Sequence, residues 1–532
     1  MDPFSAALST RSPFDAQLTG DGEDEAVLLP IILGEVRAFC AKHIDGARID
    51  REGQLGFDVL AGVADRGWFG LTVPARFGGA GLSIASAARV VSELAAHNGS
   101  LGTCVGLHTG LALNALLRHG QPSAQEQYLP EIARGRRIVA FAATEPGAGS
   151  DISSVRTTLS EREGELWLDG SKSYVTNGGI CGLLTVLARS PGLGGARAGH
   201  TLVLVDPRAP GVTRGREENK LGLKGSSTLT ISFENVEISR DHVLGEVSKG
   251  LDHAHEALSW GRTFLAAGCA GTARAALADA IEHTRQREQF GRPLASFPLV
   301  AEAIARSRAE LLTIESALEL VCSFADAKSA ALAPASSILK VLASEGSWRI
   351  VDRGLQLMGA AGYLEDSGMA RRLRDVRVTR IFEGANDVLR MSLAAAALAW
   401  PLAAFKELEA TTRAASALMS DAQLWETAFA DFSAKLSTVK RRWGCRLFEE
   451  QAIAAKLADG TIALFGALAV LLTSARSDAL DIPIRRLAIA LELERAQACL
   501  AEVLESRDGA VQRLLHADAA ELANTHVTLA RA

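Results

Sequence analysis

The chain has 532 residues, which is too many for a single hydrophobic core, so we expect several domains. Hydrophobic residues make up 48% of the chain and aromatic residues only 5%, a composition typical of a helix-rich globular enzyme. The net charge of -6 and the lack of a long basic stretch argue against a nucleic-acid partner.

Cysteine usage and the N-terminus indicate the compartment. The seven cysteines are far apart in the sequence and form no CxxC pair, so we expect no metal site and no disulfide framework. Such usage is typical of a reduced compartment. Residues 1–25 are rich in proline, serine, glycine and acidic residues, and they are predicted to form a flexible tail without a targeting signal. We therefore expect a bacterial cytoplasmic location, with membrane association considered below.

The first folded region is predicted to be helical and to span residues 26–135. Apolar residues recur there at three- and four-residue steps, beginning with Val27, Leu28, Ile31, Ile32, Val36 and Phe39. This periodicity predicts an N-terminal helical domain.

Residues 136–250 change to a strand-like pattern. The run Leu166–Leu168, the pair Asp169–Gly170 and the run Ser171–Thr176 predict a β-hairpin with an Asp-Gly turn. Further β-type runs follow, so this region is predicted to be a compact middle β domain.

The remainder of the chain returns to helical patterns. Residues 251–400 are alanine-rich and predict a C-terminal helical domain, and residues 401–532 predict an extra helical domain with a break at Asp459–Gly460. The order helical, β, helical, helical predicts an α+β fold that is mainly α. No strand–GxGxxG–helix unit is present, so the sequence gives no support for a Rossmann-type dinucleotide site.

A lone carboxylate is the most informative residue for chemistry. Glu383 lies between Phe382 and Gly384. Apolar surroundings penalise the charged form of a carboxyl group, so we expect the pKa of Glu383 to be raised toward neutrality. Gly384 lets a ligand approach the backbone closely. These features suit a buried general base, although many surface loops have a similar sequence.

Two segments of the middle domain have the composition of a ligand-binding surface. Residues 141–151 predict a rigid turn with many backbone N–H groups, which suits the polar edge of a ligand. Within residues 173–179, Tyr174 and Thr176 are predicted to face the same way on a strand and to contact a flat heteroaromatic ring. An ordinary loop and a core tyrosine are the alternatives.

Two segments of the C-terminal domain have related features. Arg287 and Phe290 are predicted to share one helical face that binds a phosphate and stacks on a ring. In residues 356–363, glycine and alanine permit close approach of a ligand to the backbone. The alternatives are a solvated charged face and a helix C-cap, respectively.

These four segments and the Glu383 segment, in this order and spacing, resemble the acyl-CoA dehydrogenase family over about residues 26–400. The resemblance implies an N-terminal helical domain, a middle β-barrel domain and a C-terminal four-helix domain that enclose FAD. It also implies that Glu383 removes a proton from Cα of an acyl-CoA thioester while a hydride leaves Cβ for the flavin. The predicted product is a trans-2-enoyl-CoA.

The resemblance assigns cofactor contacts to individual positions. The flavin-side positions are Phe141, Ala143, Thr144, Tyr174 and Thr176. The positions expected to reach the FAD of a neighbouring subunit are Arg287, Phe290, Gln356, Leu357, Gly359 and Ala360, and those expected near the pyrophosphate are Ala385, Asn386 and Asp387. The family usually has tryptophan at position 174, often a second glycine at 360, and threonine at 385. These departures put identical cofactor contacts in doubt.

The resemblance also assigns substrate contacts. Ser150 matches a residue that contacts the pantetheine arm, and Arg262 and Gly384 match positions beside the thioester. Some family members place the base immediately before this arginine. Here that residue is Gly261, which cannot abstract a proton, so Glu383 has no competitor among the family's known positions.

The predicted acyl pocket and the extra domain both indicate a long-chain substrate. Gly102 and Gly106 are predicted to share one helical face and to leave room for a long acyl tail, with close helix–helix packing as the alternative. Residues 457–465 resemble the C-terminal extension of very-long-chain acyl-CoA dehydrogenases, which implies a homodimer. Residues 440–443, Lys-Arg-Arg-Trp, suit either a peripheral contact with an anionic membrane or a solvated helix face.

The sequence thus predicts an FAD-dependent long-chain acyl-CoA dehydrogenase of fatty acid β-oxidation that passes electrons to an electron-transfer flavoprotein. Three alternatives stay open. They are the same reaction on a carrier-protein-bound acyl chain in a biosynthetic pathway, an acyl-CoA oxidase, and a non-catalytic assembly or scaffold protein on the same fold. Glu383, Arg262 and Thr176 favour catalysis, because a scaffold needs none of them.

Overall fold

The computed structural model describes residues 23–195, 199–399, 418–474 and 481–504 of the chain. Most of the predicted tail lies outside these described residues, as do parts of the predicted extra domain. Within the described residues, helices come first, a sheet follows, and two further groups of helices complete the chain. This is the order that the sequence predicts.

Seven helices form the N-terminal region. They are α1 (Glu23–His43), α2 (Gly46–Glu52), α3 (Phe57–Asp65), α4 (Ile84–His97), α5 (Gly99–Leu107), α6 (Leu113–His119) and α7 (Pro122–Ala133). Two polar side chains fix where helices begin. Ser83 Oγ accepts a hydrogen bond from the N–H of Ser86 at the start of α4, and Asn98 Oδ1 accepts one from the N–H of Leu101 at the start of α5. A π-helical turn, His108–Ala112, joins α5 to α6.

Eight strands of the middle region form one mostly antiparallel sheet. They are β1 (Val139–Ala142), β2 (Thr158–Arg162), β3 (Glu165–Thr176), β4 (Leu183–Arg189), β5 (His200–Val205), β6 (Val212–Glu217), β7 (Thr228–Ile238) and β8 (Val243–Leu244). Their order is β6-β7-β3-β2-β4-β5-β8, and β1 pairs in parallel with β4. Every residue of β4 except the last is buried, so this strand lies inside the domain.

The hairpin that leads into β3 differs from the prediction. It turns at Glu163–Gly164, between the paired residues Arg162 and Glu165. Asp169 and Gly170 instead lie inside β3, where the pairing with β7 changes register and Gly170 has a φ of 145°. The Asp-Gly pair therefore marks a β-bulge. Bulges and tight turns both favour glycine, because its backbone tolerates positive φ, and the sequence alone did not separate the two.

Six helices and a short hairpin form the next region. They are α8 (Gly250–Gln286), β9 (Glu288–Gln289), β10 (Arg292–Pro293), α9 (Pro298–Asp326), α10 (Leu332–Met358), α11 (Ala360–Tyr363), α12 (Met369–Arg377) and α13 (Asn386–Ala399). The long helix α8 packs against α10, α9 and α4. Its many alanines permit this close packing, because short side chains let helix axes approach.

Three helices of the extra domain follow, namely α14 (Met419–Trp443), α15 (Gln451–Thr473) and α16 (Ile482–Leu504). The predicted break at Asp459–Gly460 is wrong, because α15 continues through both residues. Asp459 accepts a hydrogen bond from Arg390 of α13 there, and this tertiary contact outweighs weak helix propensity. By length and apolar composition α15 is able to cross a membrane, but 78% of its most apolar window is buried inside the protein.

Candidate active site

Glu383 lies in the short loop between α12 and α13, with its carboxyl tip against α8. Its Oε2 atom is buried and has no hydrogen-bond partner among the described residues. A Cβ atom added to Gly261 of α8 would lie only 2.9 Å from this oxygen. Glycine at position 261 therefore makes the space in which the carboxyl group sits.

The environment of Glu383 raises its proton affinity. Burial raises the pKa of Glu383 to about 7, and the positive charges of Arg262 and Lys340 partly offset that effect. Arg262 Nε donates to the backbone carbonyl of Glu383 at 3.1 Å, and Arg262 Nη1 donates to Ser337 Oγ at 3.1 Å. The guanidinium thus holds the main chain of the loop and leaves Oε2 of the carboxyl group available to accept a proton. A pKa near neutrality suits a general base.

The loop that carries the base has an uncommon backbone conformation. Glu383 and Gly384 have successive positive φ values of 57° and 96°. For a residue other than glycine, this conformation costs roughly 1–3 kcal/mol and persists only where the surroundings hold it. Lys340 of α10 supplies that support, because its Nζ donates to the carbonyl of Gly384 and to Oδ1 of Asn386, both at 2.7 Å.

Lys340 is a residue of the site that the sequence reasoning missed. Its side chain is fully buried, and burial lowers its pKa to about 7. The available signal was a single lysine inside the apolar run Ile338–Leu342 of α10, at a position where a helix facing its core has no need of a charge.

A cavity adjoins the Glu383 loop and leads away between helices. Phe382, beside the base, lines it together with Phe264, which lies one turn after Gly261 on α8. Gly102 and Gly106 of α5 line the same cavity, as do Gly268 of α8 and several other small residues. The predicted pocket glycines therefore line a cavity that is also lined by the residue directly before the predicted base.

The two pocket glycines also serve helix packing. A Cβ atom on Gly102 would lie 2.7 Å from Cα of Ala95, and one on Gly106 would lie 3.0 Å from a methyl group of Val91. Both neighbours belong to α4. The packing alternative therefore applies alongside the cavity, most strongly at Gly102, where the close neighbour is backbone that cannot move aside.

The predicted flavin-side residues come from two segments that the sheet brings together. The N–H of Ser173 donates to the carbonyl of Thr144 at 2.8 Å, which joins the turn after β1 to the end of β3. Phe141, at the end of β1, is half-buried, Ala143 is buried and Thr144 is half-buried. Phe141, Ala143 and Thr144 thus lie next to the end of β3.

The end of β3 departs from a regular strand. A register shift lies between Lys172 and Val175, and Tyr174 has a φ of 55°. Burial nevertheless alternates over Tyr174, Val175 and Thr176, so the expectation that Tyr174 and Thr176 face the same way stays a prediction. Tyr174 is 66% exposed and Thr176 is half-buried, so a solvent-exposed aromatic ring lies two residues from a partly exposed threonine.

A buried ion pair supports this surface. Lys172 Nζ donates to Oε1 of Glu145 at 2.7 Å and to the carbonyl of Ala143 at 2.9 Å, and the Lys172 side chain is fully buried. Glu145 also accepts from the N–H groups of Arg156 and Thr157. Sequence reasoning gave neither residue a role. Alternate residues of a strand face the same side, and Lys172 falls on the side of β3 that also carries Leu166 and Leu168. This alternation was the signal that the lysine is internal.

The segment with Arg287 and Phe290 is a hairpin rather than one helical face. The helix α8 ends at Gln286, Arg287 is its C-cap, and Phe290 sits at the turn between β9 and β10 with a φ of 54°. The predicted shared helical face is therefore wrong. Arg287 is exposed and Phe290 is 93% exposed, so both face outward from this chain.

The segment after α10 is a helix end, as the C-cap alternative states. Gly359 is the C-cap of α10 with a φ of 58°, which glycine adopts without strain. Gln356, Gly359 and Ala360 are exposed, and Leu357 is half-buried. Arg287, Phe290, Gln356 and Gly359 are not among the described residues that line the cavity next to Phe382.

The residues after the base differ in what they offer a ligand. Asn386 is buried, and its amide bonds with Lys340, Ser344 and Glu345, so its side chain supports the loop and is not presented to a cofactor. Ala385 is half-buried. The side chain of Asp387 is 98% exposed beside Arg390. Ser150, in the turn after β1, is exposed.

Family comparisons cover most of the chain. Residues 31–136 match the N-terminal domain of acyl-CoA dehydrogenases, residues 140–236 match the middle domain, and residues 248–398 match the C-terminal domain. The very long-chain specific acyl-CoA dehydrogenase of Mus musculus mitochondria is 34% identical over 396 residues, which are 72% of this chain but only 60% of that protein. An acyl-CoA dehydrogenase of Bacillus subtilis is 34% identical over 67% of this chain and 94% of its own length.

Solved structures extend the likeness to the extra helices. An acyl-CoA dehydrogenase of Bacillus anthracis, solved in complex with FAD, superposes with a TM-score of 0.82 over 96% of this chain and 94% of its own. Its sequence is 24% identical, so this likeness concerns the fold. A chain from a structure of the electron transferring flavoprotein of Acidaminococcus fermentans superposes over 71% of this chain with a TM-score of 0.67 and 26% identity.

Proposed function

Because the chain belongs to the acyl-CoA dehydrogenase family, we propose that it is an FAD-dependent enzyme that converts long-chain acyl-CoA thioesters to trans-2-enoyl-CoA. One observation carries the proposal. A buried carboxyl oxygen of Glu383 has no partner among the described residues, and the preceding residue, Phe382, lines a cavity between helices. An unpaired buried carboxylate costs free energy, so such a group is uncommon unless a ligand or a reaction requires it.

The residues at the end of β3 fit a flat ring such as a flavin. Tyr174 offers an aromatic face that is 66% exposed, and Thr176 offers a hydroxyl group nearby. The buried pair Lys172–Glu145 holds the adjoining turn rigid, which favours a preformed binding surface. In this proposal Phe141, Ala143, Thr144, Tyr174 and Thr176 hold the ring, and a bound flavin supplies the acceptor for a hydride from Cβ of the substrate.

Glu383 performs the proton step. Its Oε2 atom takes a proton from Cα of the thioester, and the pKa of about 7 lets the carboxylate and its conjugate acid both be accessible at neutral pH. Arg262 holds the loop through the backbone carbonyl of Glu383, and Oε2 has no hydrogen-bond partner among the described residues. General-base catalysis of this kind contributes roughly 10²–10⁴-fold to the rate.

In this proposal the cavity accepts a long acyl chain. Its walls include Gly102, Gly106 and Gly268, which have no side chain to close it. The mouse relative carries the name of a very long-chain specific enzyme, which favours the same substrate class. We propose that this reaction belongs to fatty acid β-oxidation.

Partners and location are part of the same proposal. The structural relative described as an electron transferring flavoprotein supports electron delivery to a flavoprotein of that kind. The exposed residues Arg287, Phe290, Gln356 and Ala360 support a homodimer in which each subunit reaches the cofactor of the other. We further propose a cytoplasmic location and a peripheral membrane contact through residues 440–443, which end α14.

The test uses the purified full chain. The protein should carry an oxidised-flavin spectrum, and anaerobic addition of acyl-CoA should bleach it, fastest for chains of long length in a series from C4 to C20. Glu383→Gln should retain flavin and bind substrate but lose bleaching by at least about 100-fold. Colourless protein that does not take up FAD would overturn the enzyme proposal. A preference for C4 or C6 would overturn the long-chain assignment alone.

A further inference from the structure

A chain of polar contacts, partly exposed at Asp459 and buried at Lys340, runs from the extra helical domain to the loop of the base. Oδ1 of Asp459, on α15, accepts from Nε of Arg390 at 2.7 Å. Nη2 of Arg390 reaches Oε1 of Glu345 at 3.4 Å, and the same oxygen accepts from Nδ2 of Asn386 at 2.9 Å. Each step joins a different helix, since these residues belong to α15, α13 and α10.

The last steps of this chain end on the base loop itself. Oδ1 of Asn386 accepts from Nζ of Lys340 at 2.7 Å, and Nζ also donates to the carbonyl of Gly384 at 2.7 Å. That carbonyl follows Glu383 directly. The positive-φ pair is therefore held by Arg262 at the carbonyl of Glu383 and by Lys340 at the carbonyl of Gly384, and Asn386 orients the ammonium group of Lys340.

We propose that Lys340 is a positioning residue for Glu383, and that Asp459 of the extra domain supports it through Arg390, Glu345 and Asn386. The inference rests on the proposed function, because it concerns how the base of that reaction is held. It assigns the extra domain a role in the geometry of the active site.

The charged groups around Lys340 determine how removal of its side chain would change the pKa of Glu383. Arg262 of α8 and Lys340 of α10 both favour the charged form of Glu383, while Glu345 and the Cys269 thiol also face the lysine. Removing the ammonium group removes one of the two cations near the carboxyl group and one donor to the loop. The pKa of Glu383 should then rise further, and the loop should sample other conformations.

The experiment compares three variants of the full chain. Lys340→Met removes the donor and the charge, and Asp459→Asn removes the charge at the far, partly exposed end of the chain of contacts. Ser336→Ala is the matched control, because Ser336 is buried one turn earlier on α10 and its hydroxyl bonds only within its own helix. Hydrogen–deuterium exchange of a peptide covering residues 380–389 is the readout that needs no activity.

Lys340→Met should accelerate amide exchange in that peptide by at least about tenfold, and Asp459→Asn should accelerate it less, while Ser336→Ala leaves it unchanged. The acid limb of the bleaching rate should move to higher pH in Lys340→Met, with kcat lowered and KM nearly constant. Equal exchange in Lys340→Met and Ser336→Ala would overturn the inference. If Lys340→Met fails to fold, Asp459→Asn decides the question. Wild-type protein that does not bleach would defeat the proposed function but leave the exchange comparison valid.

Discussion

At the scale of single residues, the ionised form of Glu383 destabilises the folded state. Its oxygen is buried with no partner among the described residues, and burial raises its pKa to about 7 from an ordinary value of 4.5. The folded protein therefore binds this proton more tightly than the unfolded chain does. The stability that this residue contributes is complete below about pH 4.5 and is lost as the pH rises to 7.

Glu383→Gln should remove that pH dependence. Relative to the variant, the wild-type protein should lose up to about 3 kcal/mol of unfolding free energy between pH 4.5 and pH 8, because the glutamine amide carries no charge to desolvate. Urea denaturation of both proteins across this range measures the difference. A gap between the two proteins that stays constant with pH would show that Glu383 is not buried as a titrating group.

At the scale of elements, the glycines of α5 both permit close packing against α4 and line the cavity. Gly102 allows α4 to approach, since a Cβ there would lie 2.7 Å from Cα of Ala95, whereas a Cβ on Gly268 of α8 would meet nothing closer than 3.9 Å. Both residues line the cavity. Packing and cavity width are therefore separable by substitution at these two positions.

Gly268→Val should narrow the cavity without disturbing the helices. We expect kcat/KM for a C16 acyl-CoA to fall at least about tenfold more than that for a C6 acyl-CoA, with little change in thermal unfolding. Gly102→Ala is the comparison, and it should lower stability by about 1–3 kcal/mol through overpacking. A uniform loss of activity at all chain lengths in Gly268→Val would mean that the acyl tail lies elsewhere.

Periodicity in the sequence predicted the order of the elements, but not their irregular ends. The helical pattern predicted α8 and the strand pattern predicted β4, because the periodicity of apolar residues in each segment reflects burial of one regular element. The Asp-Gly pair in β3 and the segment after Gln286 were assigned to the wrong local structure. The deciding factor is strand pairing at both places, a long-range pairing with β7 in one case and a local hairpin between β9 and β10 in the other.

The site was predictable where one residue type carries the chemistry. Glu383 was identified because its segment occurs in order with four others that together resemble the acyl-CoA dehydrogenase family. The sequence carried signals that Lys172 and Lys340 are internal, but the partners of Lys172, Lys340 and Asn386 were not predictable, because they are distant in the sequence. Buried polar groups require partners, but the sequence does not indicate which residues will supply them.

At the scale of the whole molecule, the extra helices share one apolar core with the helices that precede them. Phe465 of α15, Leu312 of α9 and Leu339 of α10 are buried in the same cluster. A charged group reinforces this contact, since Glu310 of α9 is buried and pairs with Arg349 of α10 and Arg495 of α16. The extra domain therefore packs firmly on the preceding helices. The proposed chain of polar contacts from α15 to the base loop requires such packing.

At the hairpin formed by β9 and β10, in contrast, apolar surface is exposed. Phe290 is 93% exposed at the turn, and covering such a side chain contributes about 2 kcal/mol. In the proposed homodimer this hairpin reaches the partner. Phe290→Glu should therefore raise the dimer dissociation constant by at least about tenfold and weaken FAD retention, because a charge replaces an apolar contact.

Phe57→Glu is a matched control for that substitution, because Phe57 begins α3 and is 87% exposed in a region not predicted to contact a partner. Sedimentation equilibrium of the wild type and both variants measures the dissociation constants, and flavin absorbance after gel filtration measures cofactor retention. Unchanged circular dichroism in both variants would confirm that the fold is intact, as expected for two side chains so exposed. A dimer that survives Phe290→Glu with its flavin would place the subunit contact on another face of the molecule.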